Sequence, residues 1–395
     1  DGCLLQTRGL SVWFVIVALA WNAAATEGSS KVVKASNAFG FSLYESVQRS
    51  DDNLLFSPWS LSTVLSMVYL GARNKTAAQL AQALHLNHFF GDEDGVFNAY
   101  RDEAELLRGN NVQEDFLSST ITLTRSGDKI ARSYLSSLEK YFGSGVFHVD
   151  FSEGDKVLRL VNSQVSKLTK GKIPQMLHKS PDPLTTLLLL NSVYFKGVWE
   201  KTFNDTSAAL FYGTKNETPI DMMHLKSDFN FAYYRASGSY VLQIPYSGNQ
   251  ISFIIVLPSK NERNLERLQL SAEFLDTMCG RLEPRSFELS LPRFGVQSQM
   301  DLKGSLKTMG VKCLFSAAEA DLTGMSKDGG LFVEDVHHRA SMEVNEHGTE
   351  ATASTVAVIV SRIGTPRLVI DRPFFFAIRH MPTGLNLFMG RVLNL

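Results

Sequence analysis

The sequence predicts one large domain of the α+β class, in which helices precede most of the strands. Segments with helical periodicity occupy the first half of the chain, whereas runs typical of strands dominate from residue 187 onward. Of the 395 residues, 44% are hydrophobic, which is enough for a large core. No linker, repeat or low-complexity segment marks a boundary, so we predict that residues 26–395 form a single domain.

The predicted helices are identified by their periodicity and their caps. Residues 35–47 place four apolar side chains on one face of a helix: Ala38, Phe39, Leu43 and Val47. Ser57 is a suitable N-cap for a helix whose first turn contains Pro58. Thr76 and Gln79 have the spacing of a capping box and predict the start of a third helix.

The predicted strands follow from apolar and β-branched runs separated by turn residues. Residues 187–195 form a continuous apolar and aromatic run, which is typical of a strand buried on both faces. Residues 240–245 and 251–258 flank a Ser-Gly-Asn-Gln turn and predict a hairpin. The other predicted strands are residues 286–291, 368–378 and 385–393.

The N-terminus has the pattern of a secretory signal peptide. Arg8 precedes an apolar run over residues 10–20, and three alanines at 23–25 supply the small residues that a signal peptidase requires. We therefore expect residues 1–25 to be cleaved and the mature protein to be secreted and extracellular. The apolar run is too short to span a bilayer, so we expect no membrane anchor.

Secretion would give access to glycosylation and to oxidation. Three Asn-X-Thr sequons are candidate glycan sites, at Asn74, Asn204 and Asn216. Cys279 and Cys313 remain after cleavage of the signal peptide, and the sequence leaves open whether they form a disulfide.

Composition and motifs argue against several function classes. The formal net charge of −1 argues against a protein built for nucleic-acid binding. The sequence contains no hydrolase, metalloprotease, P-loop or dinucleotide-binding signature, so we predict no enzymatic activity and no cofactor. His337 and His338 follow Glu334 and Asp335, but in a strand adjacent histidines point to opposite faces, which favours a structural histidine over a metal site.

The most informative segment covers residues 343–363. An acidic start containing Gly348 is followed, over residues 349–360, by small and β-branched residues without Pro or Gly. Every second position suits the buried face of a strand: Thr349, Ala351, Ala353, Thr355, Ala357 and Ile359. The run is about twice as long as a usual strand, and Arg362 lies in the loop-like sequence that follows it.

This segment resembles the reactive-centre loop of the serpins, a family of serine protease inhibitors. Other sequences match the family in order and spacing along nearly the whole mature chain: residues 53–60, 191–199, 291–294, 320–324, 372–376 and 387–392. The resemblance implies the serpin fold, with three β-sheets, eight or nine helices and an exposed reactive-centre loop at about residues 346–367.

The resemblance also implies roles for individual residues. The hinge, where the loop would enter the main sheet, would comprise Glu346, Gly348, Thr349, Glu350, Ala351, Thr352, Ala353 and Ser354. The shutter, a set of buried polar groups that must satisfy one another, would comprise Ser57, Ser60, Asn191 and His338. Trp199 matches the breach, although a plain core aromatic is the alternative. Arg362 and Ile363 match the reactive bond.

The function implied is suicide-substrate inhibition. We expect a covalent 1:1 complex with a serine protease, because Thr349, Ala351 and Ala353 are small and uncharged, as inhibitory members require. We expect that protease to be trypsin-like, because Arg362 suits a specificity pocket with a carboxylate at its base. The alternative is a non-inhibitory serpin that acts as a carrier or chaperone. Residues 98–132 mix basic and acidic side chains, so we expect no heparin activation. We also expect a monomer.

Overall fold

The computed structural model describes residues 28–47, 52–89, 92–109, 116–260, 265–348 and 366–395. These ranges contain eight α-helices and fourteen β-strands. The predicted signal peptide at residues 1–25 lies outside them, as do the predicted reactive bond and the predicted hinge positions from 349 onward. Among the described helices, none has the length and apolar character needed to cross a membrane.

The helices are α1 (28–47), α2 (Pro58–Gly71), α3 (Asn74–Ala83), α4 (Glu93–Gly109), α5 (Arg132–Phe142), α6 (Gly154–Leu168), α7 (Ala272–Cys279) and α8 (Lys303–Thr308). Ser57 caps α2 as predicted, since its hydroxyl accepts a hydrogen bond from the N–H of Ser60 at 3.1 Å. The predicted capping box at Thr76 is wrong. Helix α3 begins at Asn74, and the buried Thr76 hydroxyl instead accepts the N–H of Asp321 at 3.0 Å.

The strands are β1 (Leu54–Phe56), β2 (Phe116–Arg125), β3 (Val146–Val149), β4 (Leu187–Phe195), β5 (Asp205–Tyr212), β6 (Glu217–Tyr234), β7 (Ser239–Pro245), β8 (Ile251–Leu257), β9 (Glu283–Pro292), β10 (Phe294–Asp301), β11 (Val333–Val344), β12 (Arg367–Val369), β13 (Phe374–His380) and β14 (Leu385–Val392). The predicted hairpin is confirmed as the antiparallel pair β7–β8. The single strand predicted over residues 368–378 is wrong. It divides into β12 and β13 on either side of Pro373, which has no N–H for a sheet hydrogen bond.

The smaller sheet has five strands in the order β10-β11-β4-β2-β3. All nine residues of β4 are buried, which confirms the prediction of a strand covered on both faces. Apolar side chains of α6 pack against one face of β2 and β4. The helix contributes Val157, Val161 and Val165, and the strands contribute Ile121, Leu123, Leu188 and Leu190. The other face belongs to the main core, which includes the buried side of α2. The centre of this sheet is therefore enclosed between helices.

The larger sheet has nine strands, in the order β1-β14-β13-β8-β7-β6-β9-β12, with β5 paired to β6. Strand β6 is 18 residues long and pairs with different strands at its two ends. Its first part pairs with β5 and β9, whereas its last residues pair with β7. Hydrogen bonds through β6 thus make these strands one sheet, so the described residues form two hydrogen-bonded sheets where the resemblance implies three.

Candidate functional site

The candidate site follows the seam between β4 and β11 in the five-stranded sheet. The two strands run parallel, and after a register shift between Val333 and Asp335 they pair continuously from Leu188 opposite Asp335 to Phe195 opposite Met342. If the seam parted, a strand running antiparallel to both could hydrogen-bond to each of them along its length. The seam is thus a position where the sheet could accept one more strand.

The four predicted shutter residues meet at this seam. His338 on β11 hydrogen-bonds through Nδ1 to Asn191 Oδ1 on β4 at 2.8 Å. On its other side, Nε2 of His338 accepts the backbone N–H of Ser57 at 3.2 Å. Asn191 donates from Nδ2 to Ser60 Oγ at 2.6 Å. The network therefore connects both strands of the seam to the start of α2.

These contacts define the protonation of His338. Because Nε2 accepts a hydrogen bond, the proton of the neutral ring is assigned to Nδ1, from which it is donated to Asn191. The side chain is completely buried, and burial lowers the pKa of His338 from 6.5 to about 3. The imidazole is consequently neutral at physiological pH, so the closed seam contains no buried charge at this point.

Two further residues join the hydrogen-bond network of the predicted shutter, and sequence reasoning missed both. Ser60 Oγ lies 2.9 Å from Ser118 Oγ, and Asn191 Nδ2 donates to Thr120 Oγ1 at 3.1 Å. Both new residues lie on β2, the neighbour of β4 on the side away from the seam. Their signal in the sequence is the run Ser118-Ser119-Thr120 inside a strand, where polar residues on successive positions are unusual.

Trp199, the predicted breach residue, lies where the chain leaves β11. Its indole Nε1 donates to the carbonyl of Asn345 at 2.9 Å, and its backbone N–H donates to the carbonyl of His347 at 2.9 Å. The ring stacks on Tyr246 with centroids 4.4 Å apart and planes inclined by 13°. Trp199 is therefore both a core aromatic and a direct contact of the segment that follows β11.

The segment after β11 makes a tight turn that reverses the chain. Asn345 and Gly348 exchange two backbone hydrogen bonds, at 2.8 and 3.2 Å, and Gly348 then pairs with Val198. Gly348 has a φ of +125°, and a Cβ there would lie 2.0 Å from the carbonyl oxygen of Gly197. Only glycine fits this position without displacing backbone. The described chain therefore reverses its direction between Asn345 and Gly348.

Glu346, the first predicted hinge residue, is held on the side of this turn. Its carboxylate accepts a hydrogen bond from Thr206 Oγ1 at 3.1 Å and lies 3.8 Å from Nη1 of Arg293. Its carbonyl accepts the N–H of Phe203 at 2.9 Å. Backbone and side chain together anchor the start of the loop to the end of the nine-stranded sheet.

The far end of the loop is anchored in the same sheet. Strand β12 pairs in parallel with β9, and the guanidinium of Arg367 contacts the carboxylate of Glu288. The predicted hinge residues Thr349, Glu350, Ala351, Thr352, Ala353 and Ser354, together with Arg362 and Ile363, lie outside the described residues. The structure therefore defines both attachment points of the predicted loop.

The remaining candidates are the three sequons, the two cysteines and the histidine pair of β11. Asn74, Asn204 and Asn216 are exposed. Cys279 and Cys313 are both free thiols, so the disulfide that the sequence left open is not formed. His337 and His338 point to opposite faces of β11, as predicted, since His338 is completely buried and His337 is partly exposed.

Comparisons with known proteins agree with this geometry. A family model described as Serpin (serine protease inhibitor) matches residues 34–395. The chain is 38% identical over 378 residues to intracellular coagulation inhibitor 1 of Tachypleus tridentatus, covering 93% of this chain and 90% of that protein. It is 34% identical over 381 residues to leukocyte elastase inhibitor A of Mus musculus, with coverages of 91% and 98%. The crystal structure of mouse protein-Z dependent protease inhibitor superposes with a TM-score of 0.84 at 26% identity, over 94% of this chain and 98% of that one.

The relatives correct the predicted localisation. Two of the similar proteins are named intracellular coagulation inhibitors, which points to an intracellular rather than a secreted, extracellular protein. The prediction of secretion is therefore wrong. It depended on a short apolar run near the N-terminus, and such a run is a compositional pattern that does not by itself establish export. The glycosylation predicted at the three sequons depended on secretion, so that prediction no longer has support.

Proposed function

Because the chain belongs to the serpin family of serine protease inhibitors, we propose that it traps a trypsin-like serine protease as a suicide substrate. The protease serine would attack the carbonyl carbon of Arg362, and the amine of Ile363 would leave with the proton that the protease histidine supplies. The resulting ester joins one protease to one inhibitor. Insertion of the cleaved loop then prevents the ester from being hydrolysed.

The observation that carries this proposal is the chain reversal at Asn345–Gly348. A loop that continued in the direction of this turn would run antiparallel to β11 and therefore also to β4, which is parallel to β11. A strand in that orientation matches the pairing that an opened seam offers. Small side chains at Thr349, Ala351 and Ala353 would face the interior at the first positions to enter.

Insertion would be strongly favourable. About a dozen residues would each gain sheet hydrogen bonds worth roughly 1 kcal/mol net, which gives on the order of 10 kcal/mol. Burial of Val and Ile side chains from the loop adds a further contribution of several kcal/mol. A protease attached at Arg362 would be carried along the sheet with the strand.

Arg362 supports a trypsin-like target. A guanidinium binds bidentately to a carboxylate at the base of a specificity pocket, and Lys would fit that geometry less well. Ile359 and Val360 would instead suit a small apolar pocket, which makes an elastase-like protease the second candidate. The rival class, a non-inhibitory carrier or chaperone, would be cleaved at the loop without trapping the protease.

Incubation with trypsin followed by denaturing gel electrophoresis tests the proposal. We expect a band at the summed mass of inhibitor and protease, and a released C-terminal peptide whose mass shows that it begins at Ile363. Arg362→Ala should abolish the complex with trypsin. Arg159→Ala is the matched control, because Arg159 is exposed on α6, belongs to neither attachment of the loop and should leave the complex intact.

A hinge variant separates the inhibitor from the carrier. Thr349→Arg should be cleaved by trypsin at the wild-type rate but should release active protease, because burying a charge early in insertion slows insertion relative to ester hydrolysis. Cleavage of the wild type without any covalent band would contradict the inhibitory proposal. A complex that persists in Arg362→Ala would contradict the assignment of the reactive bond.

A further inference from the structure

His337 of β11 lies beside two carboxylates, on the face of the sheet opposite the shutter residue His338. His337 is directly opposite Asp301 in the β10–β11 ladder, and the imidazole Nδ1 contacts the Asp301 carboxylate. Asp335 precedes His337 by two residues and so projects from the same face of the strand. One ligand atom from each of the three side chains lies within 4.8 Å of the other two.

We propose that Asp301, Asp335 and His337 form a binding site for a divalent transition-metal ion such as Zn²⁺. One imidazole nitrogen with two carboxylate oxygens is a ligand set that Zn²⁺ accepts, whereas Ca²⁺ requires six to eight oxygen ligands. Three protein ligands leave one position of a tetrahedral ion for water. The site would therefore belong to the open type of zinc site.

The sheet holds the three ligands in place. Asp335 Oδ1 accepts the backbone N–H groups of Val336 at 2.7 Å and of Lys303 at 3.3 Å, which fixes the carboxylate and leaves Oδ2 for an ion. Asp301 and His337 belong to two hydrogen-bonded strands. The side chain of Asp301 is 64% exposed and that of His337 is 20% exposed, so an ion can reach the site from solvent.

The charges around the site favour a cation. The ammonium of Lys303 is directed to Glu334, which it meets at 3.0 Å, and the guanidinium of Arg339 donates to the carbonyl of Gln175. Each of these basic groups is thus directed to another acceptor. The carboxylates of Asp301 and Asp335 therefore place negative charge at the site, which a bound divalent ion would neutralise.

The inference is independent of the proposed inhibitory function. The ligands lie on β10 and β11, on one side of the seam. Parting of β4 from β11 would leave the β10–β11 pair intact. The ion would consequently bind both the native and the loop-inserted molecule, and its binding can be measured without a protease.

Titration of the chelator-treated, untagged full chain with ZnCl₂ in a calorimeter tests the site, and Co²⁺ absorption reports the coordination geometry. We expect one ion per chain. Asp301→Asn and His337→Gln should each weaken binding at least about tenfold. His148→Gln is the matched control, because His148 is exposed on β3 of the same sheet and should leave the affinity unchanged.

Three results would overturn the site: no saturable Zn²⁺ binding by the wild type, equal affinity in Asp301→Asn and the wild type, or Ca²⁺ binding as tightly as Zn²⁺. Asp301→Asn decides the matter even if His337→Gln folds poorly, since the Asp301 side chain is mostly exposed. Circular dichroism of each variant establishes that it is folded before the titration.

Discussion

The two sheets of the molecule both contain strands that are buried along their whole length, but they place buried polar side chains differently. In the five-stranded sheet, Asn191 and His338 hydrogen-bond to each other across the boundary between two strands. In the nine-stranded sheet, the buried Asn386 of β14 accepts from Arg379 of β13 at 3.0 Å, within a single hairpin. The first contact must break if the strands separate, whereas the second joins strands that a tight turn holds together.

The difference indicates which sheet can change. Around the seam, Asn191 Nδ2 also donates to the hydroxyls of Ser60 and Thr120, so the amide group keeps these partners when His338 moves away. Between β8 and β13, by contrast, the contact is made by rings such as Phe253 and Phe376, which would lose their apolar burial if the strands parted. Four predictions test this contrast, in order of decreasing expected effect.

Cleavage of the loop between residues 355 and 362 should enlarge the five-stranded sheet and leave the nine-stranded sheet unchanged. Insertion worth on the order of 10 kcal/mol should raise the melting temperature by more than about 10 °C. Calorimetry of intact and cleaved protein measures the shift, and amide exchange should show added protection in β4 and β11 but not in β13. A cleaved form that melts at or below the intact form would rule out insertion.

Phe376→Ala should destabilise the molecule without altering inhibition. The ring is completely buried and lies 5.3 Å from the ring of Phe253, so its loss should lower the free energy of unfolding by about 3–5 kcal/mol. Urea denaturation measures the loss. Phe147→Ala, at a position 52% exposed, should change stability by less than about 0.5 kcal/mol. A changed stoichiometry of protease inhibition in Phe376→Ala would show that the larger sheet also takes part in insertion.

Asn191→Leu and Asn386→Leu compare a buried amide in each sheet. Each substitution leaves a buried donor without its acceptor, on His338 or on Arg379, and should lower the free energy of unfolding by about 1–3 kcal/mol. Only Asn191→Leu should also speed opening of the seam, measured as the rate at which a synthetic peptide of residues 349–360 is incorporated. Equal incorporation rates in the two variants would show that Asn191 does not control opening of the seam.

The pH dependence of stability should depend on one histidine in each sheet. Burial lowers the pKa of His338 to about 3 and that of His380 to about 4, both from 6.5. The folded state thus binds these protons less tightly than the unfolded state. The stabilisation is complete above pH 6.5 and is lost as the pH falls toward the folded pKa, at up to about 1.4 kcal/mol per pH unit for each histidine. Denaturation between pH 7 and pH 5 should show a shallower slope in His338→Gln and in His380→Gln. An unchanged slope in either variant would show that the substituted histidine does not contribute to the pH dependence of stability.

Local features of the sequence predicted most elements correctly, and the two errors among the elements have different causes, one remote in the chain and one local. The cap at Ser57 and the hairpin β7–β8 depend on neighbouring residues alone, and both are confirmed. Thr76 has the local pattern of a cap, but the N–H of the distant Asp321 occupies its hydroxyl. Pro373 divides a run that apolar character alone would have kept as one strand. Where a residue's partner is remote in the chain, periodicity does not identify it.

The sequence by itself determined the fold class, the covered strand β4, the family resemblance and the opposite directions of His337 and His338, because these follow from local periodicity and from residue order. The tertiary structure alone decided that Ser118 and Thr120 join the shutter and that Asp301 faces His337. Those contacts depend on the register between strands that are far apart in the chain. A shift of one residue in that register would turn the same side chains to the opposite face, so only the packed sheets specify which groups meet.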